Sequence, residues 1–138
     1  MKSTRTIKEA VIRRYPEIGL EDSLGDAIRL MAKNNCSALV VKEEGVLFGL
    51  VTITDVMHSL VHHQDLQHTK ISSFMTKCEL ISSKGTKNAC AQLDREQDVL
   101  SALKVMHQAG VNHLLVSGDE NEPVGVVSAL EIIRLLGR

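Results

Sequence analysis

Asp55, with Thr52 and Thr54 just ahead of it, is the group of side chains in this sequence best suited to hold a polar ligand. A carboxylate in the first turn of a helix can accept hydrogen bonds from two adjacent ribose hydroxyls, while hydroxyl side chains and free N–H groups at the helix start can meet phosphate oxygens. Ser128 and Glu131 form a second version of the pattern, with Leu130 standing where the first has Thr54. There the carboxylate reaches one methylene further and one hydroxyl is missing, so the first version is expected to bind more tightly. The competing use is structural, with Thr54 capping the helix and Asp55 favouring its positive end.

Other reactive residue types lead less far. His58 and His62 are four apart on an expected helix, with His63 and His68 beyond, a spacing that permits transition-metal binding. No Cys or firmly placed carboxylate completes a ligand set, so no metal site is assigned. Cys36, Cys78 and Cys90 are odd in number and lack C-x-x-C spacing, which points to a reducing cytoplasm and against a lasting disulfide. No nucleophile–base–orienter set and no Walker or Rossmann glycine loop can be assembled, so catalysis is not expected.

The elements that must position these residues emerge when the chain is laid on itself. Asp26-Ala27-Ile28-Arg29-Leu30-Met31 matches Ser101-Ala102-Leu103-Lys104-Val105-Met106 in type at every position but the first, and the match runs on through Cys36–Val41 against Val111–Val116. After one inserted residue at a turn, Gly49–Val56 aligns with Gly125–Ile132. Leu24, Ala27, Ile28 and Met31 fall on one helical face, as do Val99, Ala102, Leu103 and Met106. Asp22 or Ser23 can cap the first of these helices and Asp98 the second. Strands are expected at Ala38–Val41, Val46–Thr52, His113–Val116 and Val124–Ser128, and closing helices near Thr54–His63 and Ser128–Leu136.

Related approach segments, Thr6–Ile12 and Lys70–Thr76, precede the two copies, and His62–Thr69 reads as a polar linker. Ser82–Asn88 reads as a mobile loop. The repeats are thus bounded at 1–68 and 69–138.

Composition narrows the function classes. The chain of 138 residues has length for one compact domain and not for a catalytic domain besides. It is 43% hydrophobic but only 2% aromatic, so its core must be built from aliphatic side chains. Sixteen basic residues against 17 acidic ones leave no positive field for nucleic acid. No apolar stretch approaches the roughly 20 residues of a membrane span. A cytoplasmic protein associated with neither nucleic acid nor membrane is expected.

The element order, with Gly-apolar-apolar-Thr/Ser-x-x-acidic opening the last helix of each copy, resembles the cystathionine beta-synthase (CBS) domain. That domain occurs in tandem pairs called Bateman modules. Gly49-Leu50-Val51-Thr52-Ile53-Thr54-Asp55 and Ser37-Ala38-Leu39 carry most of the likeness, which spans nearly the whole chain. The resemblance implies an α/β (α+β) fold of two β-α-β-β-α repeats packed about a pseudo-two-fold axis, with two clefts that commonly bind AMP, ADP, ATP or S-adenosylmethionine. It implies composite sites. One joins Thr52, Thr54 and Asp55 to Ala91, Val111, Asn112 and His113; the other joins Ser128 and Glu131 to Cys36, Ser37 and Ala38, with Val11 and Pro16 nearby.

Asn112 and His113 fall where an adenylate-sensing member of the family has basic phosphate contacts, and Lys84, Lys87, Arg13 or Arg14 could supply added charge. The expected function is a non-catalytic sensor of an adenine nucleotide, with no bound cofactor, reporting to an enzyme or transporter. A rival from another class is a ligand-free interaction module whose apolar last helices, Val56–Val61 and Ile132–Leu136, form a homodimer. A third is a small metal-dependent enzyme built on the histidine cluster.

Overall fold

The fold is taken from a computed structural model in which residues 5–10, 14–77, 92–94, 96–117 and 123–138 are described. Contacts divide the chain into two units: the described residues of 15–77, and those of 5–14 together with 92–138.

In the first unit, helix α1 (Leu24–Asn34) begins at Ser23, whose hydroxyl accepts from Asp26 N–H at 3.1 Å while its own N–H donates to Asp26 Oδ2 at 3.0 Å. This reciprocal capping box satisfies two donors that a helix end otherwise leaves open. The next two, Leu24 N–H and Gly25 N–H, donate to the carbonyls of Thr69 and Leu66, each at 2.8 Å. The polar stretch 62–69 therefore closes the helix start as well as joining the repeats. Asn35 ends α1 in the left-handed region at φ 48°.

Strands β1 (Glu17–Ile18), β2 (Ala38–Glu43), β3 (Val46–Thr52) and β4 (Thr76–Lys77) form a sheet in that order. β1 runs parallel to β2 and the other neighbours are antiparallel. Glu44 and Gly45, both at positive φ (48° and 79°), turn β2 into β3, the backbone combination of a tight hairpin. Helix α2 (Ile53–Val61) follows β3 directly, and the short helix α3 (Ile71–Phe74) precedes β4. Leu24, Ala27, Met31, Leu39, Val41, Val51, Val56 and Ile71 are buried together as the core.

The second unit repeats the plan. β5 (Gln92–Asp94) lies parallel to β6 (His113–Ser117), which pairs antiparallel with β7 (Pro123–Ser128). Helix α4 (Val99–Ala109) is capped by Asp98, whose Oδ2 accepts from Leu100 N–H at 3.1 Å and Ser101 N–H at 3.2 Å, and it ends at Gly110 (φ 70°). Helix α5 (Ala129–Leu136) follows β7. The core is Ile7, Ala10, Val99, Ala102, Met106, Leu114, Val116, Val127, Ile132 and Leu135. β1 and β5 supply the leading strand of each β-α-β-β-α repeat.

The duplication and the contacts group the chain differently. Approach residues 5–10, with a 3-10 turn at Ile7–Glu9, pack with the second copy's elements, and residues 71–77 pack with the first copy's. The attachments correspond: Ile71 N–H donates to Asp22 O (2.8 Å) as Ile7 N–H donates to Gln97 O (2.9 Å), and Val99 N–H donates to Arg5 O (3.1 Å) as Leu24 N–H does to Thr69 O.

Candidate functional site

β3 delivers its last residue, Thr52, as the N-cap of α2, which sets Asp55 one turn in, on the side facing β4. Thr52 is buried; its hydroxyl accepts from Asp55 N–H at 3.3 Å and its N–H donates to Asp55 Oδ2 at 2.9 Å. The half-buried Asp55 carboxylate has a further partner from outside the motif. Thr76 Oγ1 lies 2.9 Å from Oδ1 and 2.8 Å from Oδ2, and donates its one proton to this pair of oxygens. Thr54 is exposed in the first turn of α2.

The strand start that precedes β2 adjoins this helix start. Ser37 O accepts from Ile53 N–H at 3.2 Å, and Ala38, fully buried, pairs with Thr52 across the sheet. Cys36 is half-buried at the same edge, and burial pushes its thiol above the ordinary cysteine pKa, so it is a weak candidate for thiolate chemistry. Pro16 is half-buried and its carbonyl accepts from Val40 N–H at 2.9 Å.

The second unit has the corresponding arrangement. Asn112 O accepts from Ala129 N–H at 2.8 Å, and His113 pairs with Ser128. Val111 is half-buried and Asn112 is exposed, whereas His113 is buried, and desolvation pushes its imidazole below the ordinary histidine value. Ser128 caps α5, its hydroxyl accepting from Glu131 N–H at 3.1 Å. Glu131 is buried, with Oε1 3.4 Å from Arg134 Nη1, and Leu130 is exposed. Each unit thus brings together the strand start and acidic helix start of one copy, with Asp55 tied to a hydroxyl and Glu131 beside a guanidinium. Ala91, Val11, Arg13, Lys84, Lys87, Cys78, Cys90 and the loop Ser82–Asn88 lie outside the described residues; Arg14 is exposed.

The histidine cluster is arranged for hydrogen bonding. The His58 and His62 rings stand 4.2 Å apart, and His62 Nδ1 lies 2.8 Å from His58 O, a contact that requires the proton on Nδ1. Among the described residues no group of three metal-ligating side chains converges. Two surface depressions of about 350 Å³ share Glu17, Ile18 and Asp22, and neither reaches Asp55.

The apolar helix residues expected to mediate association divide in two. Val56, Ile132 and Leu135 are core residues, because the helix face that follows the sheet turns them inward. Met57, Leu60 and Val61 on α2, and Leu130, Ile133 and Leu136 on α5, are exposed. No helix of the described residues is long and apolar enough to cross a membrane.

The repeated fold has counterparts among known proteins. The family model described as the CBS domain matches residues 7–62 and 87–138, most of the chain. Inosine-5'-monophosphate dehydrogenase of Methanocaldococcus jannaschii is 25% identical over 136 residues, which cover 97% of this chain and 24% of that enzyme. The mitochondrial CBS domain-containing protein CBSX3 of Arabidopsis thaliana is 27% identical over 118 residues, 83% of this chain and 52% of that protein. The chain therefore spans between a quarter and about half of these curated relatives. Among solved structures, a CBS domain protein from Pyrobaculum aerophilum complexed with AMP superposes with TM-score 0.72 at 16% identity, covering 96% of this chain and 98% of its own. The CBS domain pair of protein MJ0100, in complex with 5'-methylthioadenosine and S-adenosyl-L-methionine, superposes with TM-score 0.75 at 20% identity, covering 96% and 100%.

Proposed function

The chain belongs to the CBS-domain family, and on that premise we propose that it is a non-catalytic regulatory module that binds an adenine nucleotide of the AMP, ADP or ATP class and signals to a partner protein. The observation that carries this reading is the Asp55 carboxylate. It stands at the start of α2, half-buried, oriented by Thr52 N–H, with an outward pair of oxygens that now accepts from Thr76 Oγ1 and has the acceptor geometry for a ribose diol. Thr52 and Thr54 add hydroxyls for phosphate, and His113 and Asn112 of the second copy complete the site in the cross-copy pairing that the family resemblance implies. Ala91 and Val111 are assigned to the same site. Ser128 and Glu131, with Cys36, Ser37, Ala38, Val11 and Pro16, form the weaker second site. Solved family members with AMP, and with S-adenosyl-L-methionine and 5'-methylthioadenosine, support an adenine ligand and make S-adenosylmethionine the alternative. Signalling is by differential affinity for two conformations, without turnover. We place the protein in the cytoplasm on its odd cysteine count.

The exposed Met57, Leu60 and Val61, and Leu130, Ile133 and Leu136, favour a second reading in which these helices form a homodimer or dock on an enzyme or transporter. Dimerisation unaffected by any nucleotide would support that reading over the sensor.

Isothermal titration with AMP, ADP, ATP and S-adenosylmethionine tests the proposal. Heat is expected with at least one, and Asp55→Asn, which keeps side-chain size and one acceptor for Thr52 N–H, is expected to lose one binding event while remaining folded. No heat and no thermal shift with any of the four would remove the sensor.

A further inference from the structure

A hydroxyl that satisfies hydrogen-bond geometry to both oxygens of a carboxylate at once stands on the outward axis of that group. Thr76 Oγ1, at 2.9 and 2.8 Å from the two Asp55 oxygens, is in this position. A vicinal diol that binds a carboxylate through both hydroxyls approaches along the same axis, one hydroxyl to each oxygen. Oδ2 also accepts from Thr52 N–H at 2.9 Å. Two donors and Thr76 cannot share the outward face.

We infer that Thr76 is an internal stand-in for the ligand: its hydroxyl holds the diol-binding face of Asp55, and ligand and Thr76 exclude one another. The inference rests on the reading of Asp55 as the ribose acceptor. Thr76 opens β4, whose described residues pair with β3 through Leu50↔Thr76 and Gly49↔Lys77, so its contact with Asp55 ties this strand to the start of α2. Displacing the hydroxyl loosens β4 from β3, and occupancy at Asp55 is converted into a change at the sheet edge. In the aligned approach segment Ile12 stands at the sequence position of Thr76 and has no hydroxyl to donate.

The experiment titrates the full chain, Thr76→Val and Thr76→Ser with AMP and with 2'-deoxy-AMP, and follows hydrogen exchange of residues 71–77 with and without AMP. Removing the competing hydroxyl is expected to tighten AMP binding by about two- to tenfold, the worth of one net hydrogen bond. Thr76→Ser should stay near the parent, and 2'-deoxy-AMP should gain nothing from Thr76→Val. AMP should speed exchange at Thr76 and Lys77 in the parent, a readout that decides the matter even if Thr76→Val does not fold. Unchanged or weaker AMP binding by a folded Thr76→Val, or AMP-induced protection of β4, would overturn the latch and leave the sensor standing. No binding of AMP, ADP, ATP or S-adenosylmethionine by parent or variant, with unchanged exchange, would overturn both.

Discussion

Asp55 accepts from Thr52 N–H and from Thr76 Oγ1, so its structural and ligand-binding uses share one carboxylate. The Thr52–Asp55 half corrects the sequence reading, which offered Thr54 as the cap: α2 begins at Ile53, directly after β3, and Thr52 stands at the capping-box spacing of three from Asp55. The Thr76 half was not legible in the sequence: a hydroxyl 21 residues away carries no local signal of where it will point. His113 shows the same limit. Its place at a strand start was readable, but its burial depends on the tertiary packing around β6, where it pairs with Ser128 of β7. Burial holds its folded pKa below the unfolded value of about 6.5. Below that pH the unfolded chain takes up a proton that the folded chain resists, so His113 contributes stability that is complete above about pH 6.5 and lost as pH falls toward the folded pKa. His113→Gln is expected to flatten the pH dependence of thermal stability between pH 7 and 5 relative to the parent. Ser59 of α2 is buried, and its hydroxyl has no hydrogen-bond partner among the described residues. Ser59→Ala should therefore raise stability by about 1 kcal/mol in a denaturant titration.

At the scale of elements, the long and strongly patterned segments were readable and the short ones were not. β3 was expected and found at Val46–Thr52, and Ser23 and Asp98 cap α1 and α4. β1 is two residues long, too short for any alternation to register, and what defines it is the neighbouring β2. The two C-caps show how a shared backbone demand survives a change of residue: Asn35 and Gly110 occupy corresponding positions, both left-handed. Only Gly adopts this region freely, and Asn tolerates it. Asn35→Ala is expected to cost about 1 kcal/mol, and Asn35→Gly much less, in parallel thermal melts.

For the whole molecule, the duplication showed that there are two similar copies but not which core each approach segment fills. Ile7 and Ile71 sit in equivalent apolar positions of their segments, and either could have packed with the copy that follows it. The hydrogen bonds to Gln97 and Asp22 settle the matter in favour of exchange. Ile7 is fully buried among Val99, Ile132 and Leu135. Ile7→Ala should cost about 2 to 5 kcal/mol and should do so in the unit distant in sequence. Hydrogen exchange is the check: protection should fall in Val99–Ala109 and Ala129–Leu136 while Leu24–Asn34 is spared.

That exchange also gives the two units different histories during synthesis. Residues 15–77 form a continuous stretch, and their core can close as soon as Ile71 has left the ribosome. Ile7 is translated well before Val99, Ile132 and Leu135, the side chains that bury it. Until α5 is complete the first approach segment must wait with an isoleucine uncovered, exposed to misplaced contacts or to chaperones.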